Sequence, residues 1–260
     1  TPAGESMQQM LKQIMTLEMN LKAEISSDSR TAKGYIRLGI HSSRSEQFGT
    51  MILANYWNKY PNVVISIKDG TTDSFEYLLN NGQIDAYIGV NPIANVKHEQ
   101  VCLYGERLFV AMTDNFIRHY FPGQYPACLE RFAEGIDLRE FETIPFFLPG
   151  EGESVINNAL TDYLLRKDLK LNIKAFSNNG LLRDSLAAMD YGVALCTELR
   201  KKTIECQAST RQQLVNPLLF FKIKDIGFRS RVYLIYRKDA YHPQYFYRFV
   251  DSAKETFDRL

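Results

Sequence analysis

The sequence predicts an α/β chain folded as two lobes behind an N-terminal helix, and three observations carry that reading. From Gly34 to Val90, strand-like apolar runs alternate with amphipathic helix-like runs in the order strand, helix, strand, helix, strand. That order calls for a parallel sheet with crossover helices. A second alternation of the same kind runs from Ile144 to Cys196. The C-terminal segment then adds a strand, Arg231 to Tyr236, and a helix after Pro243, both free to return to the first sheet. The chain therefore crosses twice between lobes, near Thr113 and near Asp225, and two lobes joined in this way leave a cleft. The expected division is residues 1–33 as helix and linker, 34–113 with 226–260 as lobe I, and 114–225 as lobe II.

Taken in order, Ser6 to Ile25 carries Met7, Met10, Ile14, Leu17 and Leu21 in alternating steps of three and four, a heptad stripe. It suits either a helix packed on its own domain or a dimerising one. The polar SSDSRTAK run, Ser26 to Lys33, reads as a linker. Tyr35 to Ile40 is the first strand. Ser43 and Glu46 then have capping-box spacing, so a helix should begin there, with Phe48, Ile52 and Tyr56 on one face and Pro61 closing it. Val63 to Ile67 is a β-branched strand, a helix starts near Thr72 or Asp73, and Ile84 to Val90 is a nearly continuous apolar strand interrupted by Asp85 and Gly89. Val101 to Tyr104 and Arg107 to Met112 are further strands. Thr113 to Phe141 is aromatic and irregular. In the second alternation the strands are Ile144–Leu148, Leu171–Phe176 and Val193–Cys196, with helices at Ser154–Lys167 and Leu181–Tyr191. The final helix should bury Phe246, Phe249, Val250, Ala253 and Phe257.

Composition limits the function classes. The chain has 260 residues, 45% hydrophobic and 23% charged, with a formal charge of +1. It gives no electrostatic reason to hold DNA or an anionic membrane by itself. No apolar run is long enough to cross a bilayer, and the N-terminus has no signal-peptide pattern. Cys102, Cys128, Cys196 and Cys206 lack zinc spacing and are too sparse for a disulfide scaffold, which fits a reducing cytoplasm. The start at Thr1, without an initiator Met, suggests an excised fragment. No nucleophile elbow, metal-ligand spacing, phosphate loop or acid pair stands out, so neither an enzyme nor a cofactor is expected.

TPAGE at Thr1 to Glu5, the helix from Met7 to Ile25, GYIRLGI, YPNVVISIKDG at Tyr60 to Gly70, LLNNGQIDAYIGV at Leu78 to Val90 and SLAAMDYGVALCTE at Ser185 to Glu198 stand in one order along the chain. In that order and spacing the chain resembles the regulatory part of a LysR-type transcriptional regulator over essentially its whole length. TPAGE is similar to the family's segment closing its winged helix-turn-helix domain, and Met7 to Ile25 to its linker helix. The resemblance implies two Rossmann-like lobes akin to the type II periplasmic solute-binding proteins. It also implies a small-molecule effector in the inter-lobe cleft, operator DNA bound only through an N-terminal domain outside this fragment, and homodimers or homotetramers. Matched residue by residue, it points to Ser42 and Ser43 flanked by His41 and Arg44, to Asn91 and Pro92, to the turn from Gly150 through Glu151 to Ser154, and to Ser177, Asn178 and Asn179.

Each position also has a plain structural reading. Ser43 and Ser154 are helix caps whose free N–H groups would favour an anionic ligand group, which suggests a carboxylate-bearing metabolite. Glu151 and Glu153 would repel that anion, receive an ammonium or hydroxyl group, or simply compensate the helix dipole. Asn178 and Asn179 before Gly180 make a turn, or offer amides to a polar ligand. Arg44 is a surface arginine or a bidentate carboxylate grip. His41 is structural, a pH reporter or a ligand contact. Tyr104, Phe116, Tyr120 and Phe121 line a pocket or fill core. The family's peroxide-sensing branch places a reactive Cys where Ser154 stands, which argues against redox sensing. Cys196 reads as a small buried hydrophobe, and Cys206 follows Lys201 and Lys202. The competing class is a solute-binding protein of a transport system, which would need a secretion signal or lipid anchor.

Overall fold

The computed structural model describes residues 1–25, 33–150, 155–208, 216–228 and 230–258. The elements are α1 (Pro2–Ile25), β1 (Gly34–Gly39), α2 (Ser42–Phe48), a π-turn (Gly49–Leu53), α3 (Ala54–Trp57), β2 (Val63–Lys68), α4 (Thr72–Asn80), β3 (Ala86–Val90), β4 (His98–Glu106), β5 (Leu108–Thr113), α5 (Asp114–Tyr120), α6 (Ala127–Ala133), a 3-10 turn (Leu138–Phe141), β6 (Pro145–Leu148), α7 (Val155–Lys167), β7 (Asn172–Phe176), α8 (Gly180–Ala188), β8 (Val193–Thr197), α9 (Glu198–Ala208), β9 (Leu218–Lys222), β10 (Ser230–Arg237) and α10 (Gln244–Asp258). The chain divides into two units, Thr1–Tyr104 with Arg231–Leu260, and Gly105–Ser230. The expected linker, Ser26 to Lys33, lies outside the described residues except for its last member.

In the first unit the strand order is β2-β1-β3-β10-β4, with β1, β2 and β3 parallel and β10 antiparallel to β3. The helix grammar of the sequence holds here. Phe48, Ile52 and Tyr56 are buried, and Phe48 and Tyr56 meet Phe257 and Phe249 of α10 edge-on. The whole predicted face of α10 is buried. α4 is capped by Thr71 and Ser74 in a reciprocal box. It lies so close to β1 that a Cβ on Gly39 would stand 2.7 Å from the Phe75 ring. Asp85, which broke the apolar run in the sequence, receives Arg37 of β1 in a two-bonded fork of 3.1 and 2.5 Å and also accepts the Arg37 backbone N–H at 2.7 Å. The carboxylate just ahead of β3 is held because the side chain and the main chain of Arg37 both donate to it.

In the second unit the order is β7-β6-β8-β5-β9, with β6, β7 and β8 parallel and β5 antiparallel to both β8 and β9. The expected placing of residues 108–113 with the first lobe differs from this pairing, because β5 takes its hydrogen bonds from the second sheet. Residues 113–141 are not irregular. They form α5, α6 and the 3-10 turn, and their Phe116, Phe121, Phe132 and Phe141 build the core with Phe146 and Phe221. Phe116 and Phe121 are therefore core, Tyr120 stacks on Phe116 at 4.4 Å, and Tyr104 stacks on Phe257 at 4.8 Å. Two further elements, α9 and β9, also have no counterpart in the sequence reading.

Candidate functional site

In a parallel sheet, loops diverge where the chain runs to one side and then returns to the other, and ligands favour the carboxyl ends of strands there. β1 has β2 on one side and β3 on the other, and β6 likewise lies between β7 and β8. Those of the sequence-derived residues that are described fall at the carboxyl ends of parallel strands, in each unit separately.

In the first unit, α2 begins at Ser42, and the N–H groups of Arg44 and Ser45 both donate to His41 O, at 2.8 and 3.1 Å. His41 thus precedes the helix, and Ser43 is its second residue. The expected cap at Ser43 is displaced by two positions, because the turn is closed by the His41 carbonyl. The side chains of Ser42 and Ser43 lie outside the described residues. His41 and Arg44 are half-buried. Asn91 has φ 43°, a left-handed conformation that Asn tolerates. It is tied twice to β10: its N–H donates to Arg231 O at 3.0 Å and its Oδ1 accepts from Arg231 N at 2.8 Å. Pro92 beside it is half-buried.

The second unit has the more developed arrangement. Gly150 follows β6, and Ser177 to Asn179 link β7 to α8. Ser177 N donates to Leu148 O at 3.0 Å, Gly150 N donates to Asn178 Oδ1 at 3.0 Å, and Asn157 Nδ2 donates to Gly150 O at 2.7 Å. Asn179 is the cap of α8, its Oδ1 accepting from Leu182 N at 3.2 Å, and its own N–H donates to Ser177 Oγ at 3.1 Å. Arg183 Nη1 donates to Ser177 O. Both amide oxygens face main-chain N–H groups, which settles the orientation of both side chains.

The consequence is an imbalance. The Ser177 carbonyl and hydroxyl oxygens and both Asn amide oxygens accept internal bonds. The Nδ2 groups of the exposed Asn178 and Asn179, and the N–H groups of Gly180 and Leu181, have no acceptor among the described residues. The turn presents donors at the positive end of α8. Glu151 and Ser154 lie outside the described residues.

Behind this turn is a charged cluster that sequence reasoning missed. Arg200 Nε donates to Asp184 Oδ2 at 2.6 Å, with Arg200 3% and Asp184 1% exposed. Arg183 is buried as well, and burial lowers its pKa despite the neighbouring Asp184. The Thr197 hydroxyl accepts from Arg200 N at 3.4 Å where β8 passes into α9. The signal available was Thr197 followed by Glu198 after an apolar strand, a helix start. Nothing local announced the pairing of residues 184 and 200.

Burial pushes the Cys196 thiol up, away from thiolate chemistry. Cys128 is buried and Cys102 exposed, and the side chain of Cys206 lies outside the described residues. Among the described residues no group of three or more His, Cys, Asp or Glu side chains is placed to hold a metal ion, and no helix is long and apolar enough to cross a membrane.

A family model described as the LysR substrate binding domain matches residues 29–258. The chain belongs to the LysR substrate-binding domain family. Domains of this family are regulatory ligand-binding domains, not enzymes, and their fold is the type II periplasmic-binding-protein-like one expected from the sequence. Among solved structures, the BenM effector binding domain with its effector benzoate has a TM-score of 0.63 at 19% identity, covering 86% of this chain and 92% of that one. The effector binding domain of QuiR in complex with shikimate has a TM-score of 0.60 at 16% identity, covering 87% and 98%. Full-length CbnR complexed with its target DNA has a TM-score of 0.65 at 14% identity, covering 98% and 81%. At these identities the likeness is one of fold. No curated protein matches the chain in sequence. Within the LysR family, the alternative of a transport solute-binding protein is not favoured.

Proposed function

We propose that this LysR-family domain senses a small carboxylate-bearing metabolite, held at the carboxyl ends of its parallel strands. The observation that carries the reading is the turn Ser177–Asn179, whose side-chain oxygens and Ser177 carbonyl accept internal bonds while the Asn178 and Asn179 Nδ2 groups and the Gly180 and Leu181 N–H groups have no acceptor among the described residues. A carboxylate supplies the acceptors and the negative charge that such a turn and the α8 N-terminus favour. The benzoate and shikimate of the BenM and QuiR structures are both carboxylates, which supports the same class here. Ser42, Ser43, His41 and Arg44 after β1, and Asn91 and Pro92 after β3, are the corresponding positions of the first unit, and Glu151 and Ser154 belong to the same reading.

The domain then acts in the cytoplasm as part of a transcriptional regulator. Operator DNA is contacted by a DNA-binding domain outside residues 1–260, and effector binding alters the geometry of a dimer or tetramer. A thermal-shift screen of carboxylates, with Asn178→Ala and Asn179→Ala beside the parent, tests the ligand class. Asn179→Ala also removes a cap worth about 1 kcal/mol, so the quantity compared is the ligand-induced rise in Tm within each variant. A saturable rise abolished in both variants supports the reading. A rise that survives in both rejects this turn.

A further inference from the structure

We infer that the first unit carries a further small-molecule site, a cavity at the amino end of β3 that takes an uncharged ligand presenting a hydrogen-bond donor beside an acceptor. The inference does not rest on the Ser177–Asn179 turn. The cavity measures about 310 Å³, at the low end for small-molecule sites, and Leu79, Ile84, Arg37, Arg237 and His242 line it. Asp85, just ahead of β3, marks its place in the sheet. Asn91 follows the other end of that strand, about 20 Å away at the rise of an extended chain. Leu17 of α1 lines the cavity as well, so an occupant touches the helix and the sheet together.

His242 decides the chemistry. It is 9% exposed, and its Nε2 lies 2.9 Å from Arg237 O. A carbonyl oxygen only accepts, so Nε2 carries the ring proton and Nδ1 holds a lone pair. Nδ1 has no hydrogen-bond partner among the described residues and is not sealed from the cavity. The ring cannot turn to hide it, being stacked on Phe246 at 4.2 Å with the Tyr236 ring edge-on at 5.2 Å. Burial lowers its pKa, so the imidazole is neutral at pH 7 and Nδ1 is an acceptor. The donors come from the two arginines. Arg37 gives Nε and Nη2 to Asp85 and Nη1 to Gly82 O, and Arg237 gives Nε and Nη2 to Asp239 and Nη1 to Asn80 O. A guanidinium has more N–H groups than these bonds use, so each arginine, held fixed by its fork, keeps donors without an acceptor among the described residues. A carboxylate would answer the donors but set its own lone pairs against Nδ1. A primary amide or a hydroxyl answers both.

The test is a long-range proton–nitrogen NMR titration of the 260-residue chain with benzamide, its carboxylate counterpart benzoate, and myo-inositol. It reads the His242 ring nitrogens, assigned by elimination from His41→Gln, His98→Gln and His119→Gln. The inference expects benzamide or myo-inositol to move the Nδ1 signal saturably while the proton stays on Nε2; the probe that does so tells an amide ligand from a hydroxyl one. It expects benzoate to bind about ten-fold more weakly than benzamide or worse, the range for leaving a polar group unmatched. Ala240→Leu adds bulk to the cavity wall without removing a polar group and should abolish the response. Benzoate that moves the signal as readily as benzamide overturns the acceptor role of His242. A signal that neither uncharged probe moves overturns the site. A response that survives in A240L places the ligand outside the cavity and overturns it too. If A240L does not fold by circular dichroism, the benzamide-to-benzoate ratio of the parent decides.

Discussion

The main-chain N–H of Gly150 donates to Asn178 Oδ1 at 3.0 Å, and the same Asn178 amide fills the space that a Cβ on residue 150 would need, 2.6 Å away. Two loops that follow neighbouring parallel strands thus define each other. The glycine permits the close approach, and the asparagine uses it to fix its oxygen inward and its Nδ2 outward.

Gly150→Ala should therefore swing the Asn178 side chain out and break the bond to Gly150 N. We expect a modest loss of stability, about 1 kcal/mol for one hydrogen bond, with a larger loss of ligand-induced stabilisation because the donor set is no longer aligned. Urea melts with and without a carboxylate ligand check this. A variant whose ligand response matches the parent would show that the Gly150–Asn178 link is merely structural.

The Arg200–Asp184 pair lies almost wholly out of water. Asp184→Asn removes the buried carboxylate that Arg200 Nε donates to, and should cost about 3–5 kcal/mol, as breaking buried pairs does. The double change Asp184→Leu with Arg200→Met removes both charges and should be less damaging than Asp184→Asn alone. Urea midpoints of the parent and these two variants decide; a double variant at least as destabilised as Asp184→Asn would show that the loss does not come from leaving Arg200 without this carboxylate.

Two histidines set an acid limit on the first unit. His98 is 3% exposed, with Nε2 3.0 Å from Asn80 Oδ1 and Nδ1 3.9 Å from Glu76. His242 has Nε2 2.9 Å from Arg237 O and stacks on Phe246 at 4.2 Å. Burial lowers both pKa values from 6.5, for His98 against the attraction of Glu76 and Asp239, and for His242 against the Arg237 carbonyl, Asp85 and Asp239. The unfolded chain then binds more protons than the folded one below the ordinary histidine pKa. Stability is full above that value and is lost as pH falls through it, levelling below the folded pKa values. Tm should fall between about pH 7 and about pH 5, above the carboxylate range, and His98→Gln should flatten the slope. A pH-independent Tm across that window would contradict the assignment.

What the sequence disclosed follows the range of the interactions. The α10 face and the Phe48, Ile52, Tyr56 stripe were legible because helical period alone decides which side is buried. α5 and α6, seven residues each, were not, because two turns give little period and their aromatic side chains are ordered by one another across the core. α9, Glu198–Ala208, is too charged to show a stripe. β5 read correctly as a strand, but its sheet is set by long-range pairing to β8 and β9. At the site, the Asn-Asn-Gly turn was visible as turn chemistry. The His41 carbonyl that starts α2 was hidden, since any residue has one, and so was the 184–200 ion pair, which depends on how α8 and α9 pack.

Met7, Met10, Ile14, Leu17 and Leu21 of α1 are between 53% and 67% exposed. Five large apolar side chains in alternating steps of three and four form a seam of the kind that pairs with another helix. An uncovered stripe of this size is unusual for a lone soluble helix. The proposed dimer covers it with the same helix of a second copy. Ile14→Asp with Leu17→Asp places two charges in the middle of that seam, so sedimentation should shift from a dimer or larger species to the monomer. The ligand-induced rise in Tm should persist, because the donor turn belongs to the other unit. A parent that sediments as a monomer at all concentrations would remove α1 as the association surface, and loss of the ligand response in the double variant would make ligand binding itself dependent on assembly.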